Sequence, residues 1–426
     1  MEKRCDILQA PAFPGAQIGT AGTASGSCNK EFILRGYVLA AASGVNGFPG
    51  ENGQALRESI IAYAREHLGR DLEARDERQE FDVHGWQGLG SLGIPGLFVP
   101  PCYGGRGASF FDTAQALAAL GYGCADNGLI FAMNAHMWAC AAAVLHFGNE
   151  PQKRKWLPGL CRGERIGAHA ASERQAGSDI SAIATTARFE GGRYLLNGRK
   201  IFVTNGPLAD LLVVLAVLEG DPRAAGLTAF LVEKTSPGFS VERTVSKMGL
   251  RTAQMGEILL RDCEIPAENL LGDPGGGMAV FNRTMELERI FILAASIGSM
   301  ERLVERCVRF ARGRSQFGRR IGSYQMISSR IVDMKLRLET ARALLDRAAR
   351  LKDENRSAFL EAALVKLHLS ESWVACCMDA LQIHGGSGYL TETGIERELR
   401  DAMGSRFYSG TSEIQKVIIA GMLGVE

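Results

Sequence analysis

Among the side chains able to act as a base, Glu288 is set apart by its surroundings. Residues 278–318 read as one long helix with an Arg-rich cap at its far end, centred on Thr284-Met285-Glu286-Leu287-Glu288-Arg289-Ile290-Phe291-Ile292-Leu293. Residues three and four apart share a helix face. Glu286 therefore has Arg283 and Arg289 beside it and is expected to be an ordinary solvated ion-pair residue. Glu288 has Thr284, Met285, Phe291 and Ile292 instead, none of which can neutralise a charge. A carboxylate among such groups has its pKa raised by desolvation, which prepares a general base. A cation reaching Glu288 from another helix is the competing reading, and periodicity alone leaves both open.

The chain of 426 residues is long enough for two or three packed units. Lys plus Arg number 48 against 47 for Asp plus Glu, a formal net charge of +1, so no acidic or basic partner is implied and nucleic-acid binding is not expected. The ten cysteines show no C-x-x-C, and only Cys376-Cys377 are adjacent, which argues against a zinc site or a disulfide framework. No metal is expected, and a reducing, cytoplasmic setting fits. No apolar run reaches membrane-span length, and Met1-Glu2-Lys3-Arg4 is not followed by a signal-type apolar core.

The elements that must position Glu288 follow from changes of period. Residues 1–50 are rich in Gly, Ala and Ser and are expected to form a poorly ordered extension, with a short apolar patch at 32–39. From Gln54 the pattern is helical, with Leu56, Ile60, Ile61 and Ala64 on one stripe. Alanine-rich helices are expected over 114–122 and 129–147, and residues 51–164 form the first unit. Near Gly167 the pattern alternates. Thr185–Phe189, Tyr194-Leu195-Leu196 and Lys200–Thr204 read as strands joined by turns at Gly191-Gly192 and Asn197-Gly198, with further strands over 211–218, 227–233 and 257–260. Residues 165–274 are thus a β unit. After Gly275-Gly276-Gly277 the chain is helical to 426. Ile327, Ile331, Met334, Leu338, Ala341 and Leu345 form one seam, and Leu360, Leu364, Leu367, Val374, Met378 and Leu381 a second that stops at Gly385-Gly386. The last helix is expected to bury Ile414, Val417, Ile418 and Met422, with Thr411 or Ser412 as its cap. The fold class is α+β, mostly α, ending in a bundle of a kind that often pairs symmetrically.

Specific words stand at the joints: Ser172-Glu173-x-x-x-Gly177-Ser178-Asp179, Asn197-Gly198-x-Lys200-Ile201-Phe202-Val203-Thr204-Asn205, Lys247-Met248-Gly249-Leu250-Arg251, Arg314-x-Gln316-Phe317-Gly318, Gln382-x-x-Gly385-Gly386-x-Gly388-Tyr389 and Gly410-Thr411-Ser412-Glu413-Ile414. In this order, over about residues 51–424, they resemble the acyl-CoA dehydrogenase family of FAD-dependent flavoproteins. The resemblance implies an N-terminal helical domain, a middle β-barrel domain and a C-terminal four-helix bundle. FAD is then held between the β domain and the bundle. His169, Ala171 and Ser172 run past the pyrimidine edge of its ring, and Ser178 lies at the pyrophosphate and substrate. Phe202 shields one flavin face, and Thr204 bonds near N5. Arg314, Gln316, Phe317 and Gln325 match positions that reach the cofactor of a neighbouring subunit, and Gln382, Gly385 and Gly386 the loop that receives its diphosphate or adenosine part. Thr411 and Glu413 belong to the last cofactor-binding word. Arginine forks and glycine N–H groups suit phosphate oxygens.

One departure from the family pattern matters for the chemistry. Most relatives place a catalytic glutamate immediately before the Gly-Thr word, and here that position is Ser409. A minority, resembling isovaleryl-CoA dehydrogenase and the long-chain enzymes, carries the base on the long helix before an Arg, which is Glu288 followed by Arg289. The resemblance thus nominates the residue already singled out by its neighbours. It implies that Glu288 takes the α-hydrogen of an acyl thioester as a proton while the β-hydrogen leaves as hydride to flavin N5, giving a trans-2-enoyl thioester. The backbone N–H of Ser409 is expected to face the thioester oxygen, with Arg289, Tyr408 and Gly410 around the substrate. Arg174 stands where relatives commonly have Pro, and Phe202 where they commonly have Trp. Arg174 suits a substrate carboxylate or pantetheine phosphate, or is simply a surface residue. The thioester handle can be coenzyme A or a carrier protein bearing an acyl or aminoacyl group such as prolyl. The expected partners are an electron acceptor such as electron-transfer flavoprotein and further copies of the chain in a homodimer or homotetramer. A flavin-dependent monooxygenase on the same fold, or an inactive flavin-binding scaffold, are the competing functions.

Overall fold

The computed structural model describes residues 51–220 and 226–425; the expected extension, 1–50, and its 32–39 patch lie outside them. The first unit is helical: α1 (Glu51–His67), α2 (Leu72–Arg78), α3 (Val83–Ser91), α4 (Phe110–Gly123), α5 (Asn127–Ala135), α6 (Ala142–Phe147) and α7 (Glu150–Cys161). Their starts are set by local chemistry. The Asp126 carboxylate accepts the Leu129 N–H at the head of α5, and Asn149 and Gln152 form a reciprocal capping box on α7. A π-helical turn over His136–Ala141 joins α5 to α6. The combined stretch Asn127–Phe147 is long and apolar enough to cross a membrane, yet 89% of its most apolar window is buried inside the fold, as befits a core helix.

Eight strands form one sheet in the order β6-β7-β3-β2-β4-β5-β8, with β1 on β4. They span Gly167–Ala170, Thr186–Glu190, Arg193–Thr204, Leu211–Glu219, Leu227–Glu233, Phe239–Thr244, Met255–Pro266 and Leu270–Leu271 for β1 to β8. Strand β4 shows why the sheet sits where it does. Its Leu211, Val213 and Leu215 join the core shared with the helices, while Leu212, Val214 and Ala216 fill a second core on the other face. Asn197-Gly198 is not a turn, contrary to expectation. β3 runs straight through it with a register shift against β7 between Leu196 and Gly198. A Cβ on Gly198 would lie 2.2 Å from Thr185 Oγ1, so the glycine permits a close approach inside a bulge.

The C-terminal unit comprises α8 (Gly277–Phe291), α9 (Ala294–Gly313), α10 (Gln325–Asp353), α11 (Phe359–His384), α12 (Ile395–Gly404) and α13 (Ser412–Leu423). The single helix expected over 278–318 is therefore two, broken at Ile292-Leu293, and beyond Gly313 the chain forms a small hairpin, Ser315–Gln316 with Arg319–Arg320. Helix α9 crosses α4 at close range. A Cβ on Gly121 or on Gly298 would meet a carbonyl oxygen of the other helix at 1.9 Å. On α10, Met334, Leu338, Ala341 and Leu345 are buried as their seam requires. On α11 the expected seam is misplaced: the buried face is Ala362, Val365, Lys366, Leu369, Trp373, Cys376 and Ala380, and Met378 is exposed. The small residues lie inward because the neighbouring helices pack closely, and the larger Leu residues flank them. On α13, Val417 and Met422 are likewise exposed within one chain.

Candidate functional site

Helix α8 carries Glu288 into the core shared by the helical units, between Leu287 and the fully buried Ile290 and Phe291. Phe291 stacks on Trp138, with ring centroids 4.6 Å apart, so this end of α8 is fixed. The Glu288 side chain is buried, and among the described residues it makes no ion pair. Its hydrogen-bond partner is the Ser409 hydroxyl, which donates to Oε1 at 2.5 Å. Burial pushes the Glu288 carboxyl above its ordinary range; the Ser409 hydrogen bond and the Arg289 charge oppose this only in part.

Ser409 lies on the loop between α12 and α13, in the left-handed region at φ 56°, followed by Gly410 at φ 88°. Left-handed backbone disfavours most side chains, so something must hold it. Arg289 Nε donates to the Ser409 carbonyl at 3.3 Å, and Gln415 Nε2 donates to the carbonyls of Ser409 (3.2 Å) and Gly410 (3.0 Å). Tyr408 packs its ring 4.5 Å from Phe131, and burial together with the Asp401 and Glu288 carboxyls holds its phenol firmly protonated. Sequence reasoning assigned Ser409 a backbone role alone and missed both its hydroxyl contact and Gln415. A contact across 121 residues leaves no local pattern to find.

Glu286 overturns one expectation. It is buried, not solvated, and accepts from Lys352 Nζ and the Ala358 N–H at 2.8 Å each and from Arg283 at 2.9 Å. Burial alone would raise its pKa, but these donors outweigh it and hold the carboxyl below its ordinary value. The two glutamates of α8 are thus opposites: one is saturated with cationic and backbone donors, the other is held by a hydroxyl.

Strand β5 packs against α8, and β1 reaches it through a ring contact. The His169 ring, on β1, is 6.2 Å from that of Phe281, which precedes Glu288 by about two turns, or roughly 10 Å of helix. His169 is kept neutral, its pKa lowered to about 4 by burial and then by Lys200, and its Nε2 is buried without a partner. After β1 the Ser172 carbonyl accepts the Ile201 N–H at 2.9 Å and the Ala171 carbonyl accepts from Lys200 Nζ at 3.2 Å, which ties this segment to β3 just before Phe202. Phe202 sits in a second register shift of β3 at φ 55° and is 62% exposed as a residue. An exposed aromatic on β3 and an unpartnered imidazole nitrogen on β1 are each suited to a planar, hydrogen-bonding ligand such as a flavin. Arg174 and Ser178 are exposed nearby in sequence, while Glu173, just before Arg174, is internal, bonded to Lys200 Nζ at 2.6 Å and Thr185 Oγ1 at 2.5 Å.

A second set of expected residues gathers elsewhere. Arg314, Gln316 and Phe317 share a cleft of about 420 Å³ with Ile383, His384, Gly385 and Gly386. A Cβ on either glycine would meet nothing within 4 Å, so the cleft is open at these two positions, while the Gly385 N–H is bonded to the Gln382 and Leu381 carbonyls that end α11. Gln325 and Gln382 are exposed but do not line this cleft. It lies at the far end of α9 from Glu288, about 30 Å away by the length of that helix. Thr411 caps α13, accepting from the Ile414 N–H at 3.2 Å, and Glu413 is exposed beside it. The Lys247–Arg251 word does structural work: Gly249 packs on the Arg400 carbonyl, and the Leu250 N–H donates to Asp401.

Three family models match the chain in succession: the acyl-CoA dehydrogenase N-terminal domain over residues 50–164, the middle domain over 168–263 and the C-terminal domain over 275–424. The chain belongs to the acyl-CoA dehydrogenase family. Among its relatives in that family is an L-prolyl-[peptidyl-carrier protein] dehydrogenase of Pseudomonas fluorescens, 41% identical over 368 residues, covering 86% of this chain and 94% of the relative. The short-chain specific acyl-CoA dehydrogenase of Rattus norvegicus is 36% identical over 373 residues, covering 88% and 90%. Among solved structures, the prolyl acyl carrier protein oxidase AnaB is 49% identical with a TM-score of 0.86, covering 88% of this chain and 100% of that one. PigA with FAD and proline is 37% identical with a TM-score of 0.85, covering 88% and 98%.

Proposed function

We propose that this acyl-CoA dehydrogenase family member desaturates an acyl thioester between its α and β carbons, with Glu288 as the base. The chain is an FAD-dependent oxidoreductase acting on a CH–CH group. The observation that carries the reading of Glu288 is its carboxylate, buried, bonded to the Ser409 hydroxyl and, among the described residues, in no ion pair. Burial makes that carboxylate a stronger base than a solvated one, and the Ser409 hydrogen bond and the Arg289 charge oppose part of that rise. It removes the α-proton. FAD, when bound, takes the β-hydrogen as hydride. Negative charge grows on the thioester oxygen as the proton leaves, and the Ser409 N–H, which has no protein acceptor among the described residues, is suited to stabilise it. Tyr408 and Gly410 then border the acyl group, and Arg289 fixes the loop. A monooxygenase reading is not favoured, because it gives this base nothing to do.

Residues His169, Ala171, Ser172, Ser178, Phe202 and Thr204 are proposed to hold the flavin end of FAD. The open cleft of Arg314, Gln316, Phe317, Gly385 and Gly386 is proposed to take the adenosine and phosphates of FAD from another copy, since it lies about 30 Å from Glu288; Gln325 and Gln382, outside the cleft lining, and Thr411 and Glu413 at the start of α13 are proposed as further cofactor contacts. Exposed Phe317, Met326, Val332 and Leu336 supply an apolar surface for that copy, in a homodimer or homotetramer. The proposed units are 51–164, 165–274 and 275–426. As for the handle, the identity to prolyl carrier-protein enzymes supports an aminoacyl group on a carrier protein over coenzyme A, with electron-transfer flavoprotein as a suitable acceptor. Eight described cysteines are unpaired, seven of them buried, which supports a reducing cytoplasm. Anaerobic titration of the FAD-loaded protein with prolyl, acyl-carrier and acyl-CoA thioesters tests the reading. Bleaching of the flavin band by prolyl-carrier thioester before the CoA series is expected, and absence of bleaching by any thioester refutes desaturation.

A further inference from the structure

Ser409 occupies a position from which its side chain reaches the proposed base, and the surrounding contacts are arranged to keep it there. Its backbone sits at φ 56°, an unfavourable choice for a serine, and that conformation is pinned by three hydrogen bonds to the carbonyls of Ser409 and Gly410. Two of the donors lie on Gln415, which is buried on α13; the third is Arg289, adjacent to Glu288. A Cβ on Gly410 would sit 2.7 Å from Gln415 Nε2, so the clamp closes tightly on the turn. The result is a hydroxyl aimed at Glu288 Oε1 at 2.5 Å.

We propose that the Ser409 hydroxyl is a positioning group: clamped by Arg289 and Gln415, it fixes the orientation and the ionisation of the Glu288 carboxylate through one short hydrogen bond. This rests on Glu288 being the base. A hydroxyl that donates to the ionised carboxylate stabilises that form without the full charge that an ion pair would bring. The contrast with Glu286, on the same helix, shows what three strong donors do instead. The other charged groups around α8 act elsewhere. Lys352 of α10 is bonded to Glu286. The charges acting on His146 of α6 are Arg283, Lys153, Lys352 and Glu286. Lys366 of α11, its Nζ buried without a hydrogen-bond partner, interacts with Glu371, Arg289, Glu413 and Arg406, and Asp401 of α12 acts on Tyr408. Among the described residues, Arg289, Tyr408 and Ser409 act on Glu288 itself.

The test uses Ser409→Gly, which accepts the left-handed backbone and removes only the hydroxyl, with Ser409→Ala as its strained counterpart. Infrared difference spectra of the FAD-loaded enzyme across pH give the buried carboxyl band, assigned by its loss in Glu288→Gln. In both Ser409 variants the band midpoint is expected to move to higher pH. The acid limb of flavin reduction moves with it, so the rate on that limb falls about tenfold. An unmoved midpoint in Ser409→Gly overturns the proposal, whatever happens to turnover. So does a shift confined to Ser409→Ala, which would report strain alone. If Glu288→Gln reduces flavin normally, the base reading falls, while the band, read without substrate, still decides what the hydroxyl does.

Discussion

Replacing Glu288 by Gln keeps the volume of the side chain and an acceptor for the Ser409 hydroxyl, and removes only the capacity to take a proton. Nothing beside it can substitute. The Ser409 hydroxyl is not basic at neutral pH, and Tyr408 is held protonated by burial and by the Asp401 and Glu288 carboxyls. The loss should therefore lie at the upper end for a general base, about 10³–10⁴-fold in the rate of flavin reduction. That is about 4–5.5 kcal/mol of activation free energy at about 1.4 kcal/mol per decade. Stopped-flow bleaching of the flavin under anaerobic conditions measures it, and a loss smaller than about tenfold refutes the assignment. The same substitution makes a separate prediction about stability. Because the folded-state pKa of Glu288 is raised, its contribution is present below the unfolded value and is lost as pH rises through the folded value. Gln escapes that loss. The variant should melt with the wild type in acid and above it at about pH 8. A variant that gains nothing on going from acid to alkaline pH, relative to the wild type, refutes the claim that the carboxylate is forced into an apolar site.

Because Ser409 Oγ lies 2.5 Å from Glu288 Oε1, a carboxylate grown from position 409 reaches the same place, and Glu288→Gln with Ser409→Glu should recover at least about tenfold in flavin reduction over Glu288→Gln alone. Equal bleaching rates in the two proteins would show that the positions do not converge on one substrate carbon. Lys352→Met strands the Glu286 carboxylate and should cost about 3–5 kcal/mol in urea unfolding, with part regained when Glu286→Gln is added. Glu173 is held down to about 2, because Lys200, the Thr185 hydroxyl and backbone N–H groups outweigh the effect of burial. Its contribution is present above the unfolded value and lost as pH falls from about 5 towards 2. Glu173→Gln should be less stable at neutral pH yet lose less than the wild type across that acid window, as followed by circular dichroism.

Period was enough to read the helix–sheet–helix order, and the reason is physical: α1 and α10 each bury one stripe, and a 3.6-residue repeat writes that stripe into the sequence. Strand β4 is buried on both faces, so its run of Leu and Val shows no alternation, and the run itself marked the strand. Period misled where a helix was not one-sided. Helix α11 has neighbours on more than one side, and its close contacts use Ala and Cys, which a search for large apolar residues passes over. Asn197-Gly198 has turn chemistry but serves a bulge, because Thr185 leaves no room for a Cβ. Glu286 looked solvated because its strongest partner, Lys352, is 66 residues away. Glu288 was legible for the complementary reason: its helical neighbours are all apolar or neutral, and burial added no cation that the local sequence lacked.

The geometry at positions 288 and 409 also explains how a carboxylate can change its place in the chain without the fold changing. Two residues 121 apart in sequence meet tip to tip, one from the rigid end of α8 and one from a clamped left-handed loop. Whichever backbone carries the acid, the other must present something that does not repel it, since two carboxylates at this distance cannot both ionise. A serine meets that condition and adds a hydrogen bond. The loop in turn keeps its carbonyl contacts to Arg289 and Gln415 and its N–H whatever the side chain at 409, so the backbone contribution to the site is independent of where the acid resides. On the proposed reading, Glu288 and position 409 belong to one constellation, and the clamp around Ser409 is what holds its hydroxyl on the proposed base.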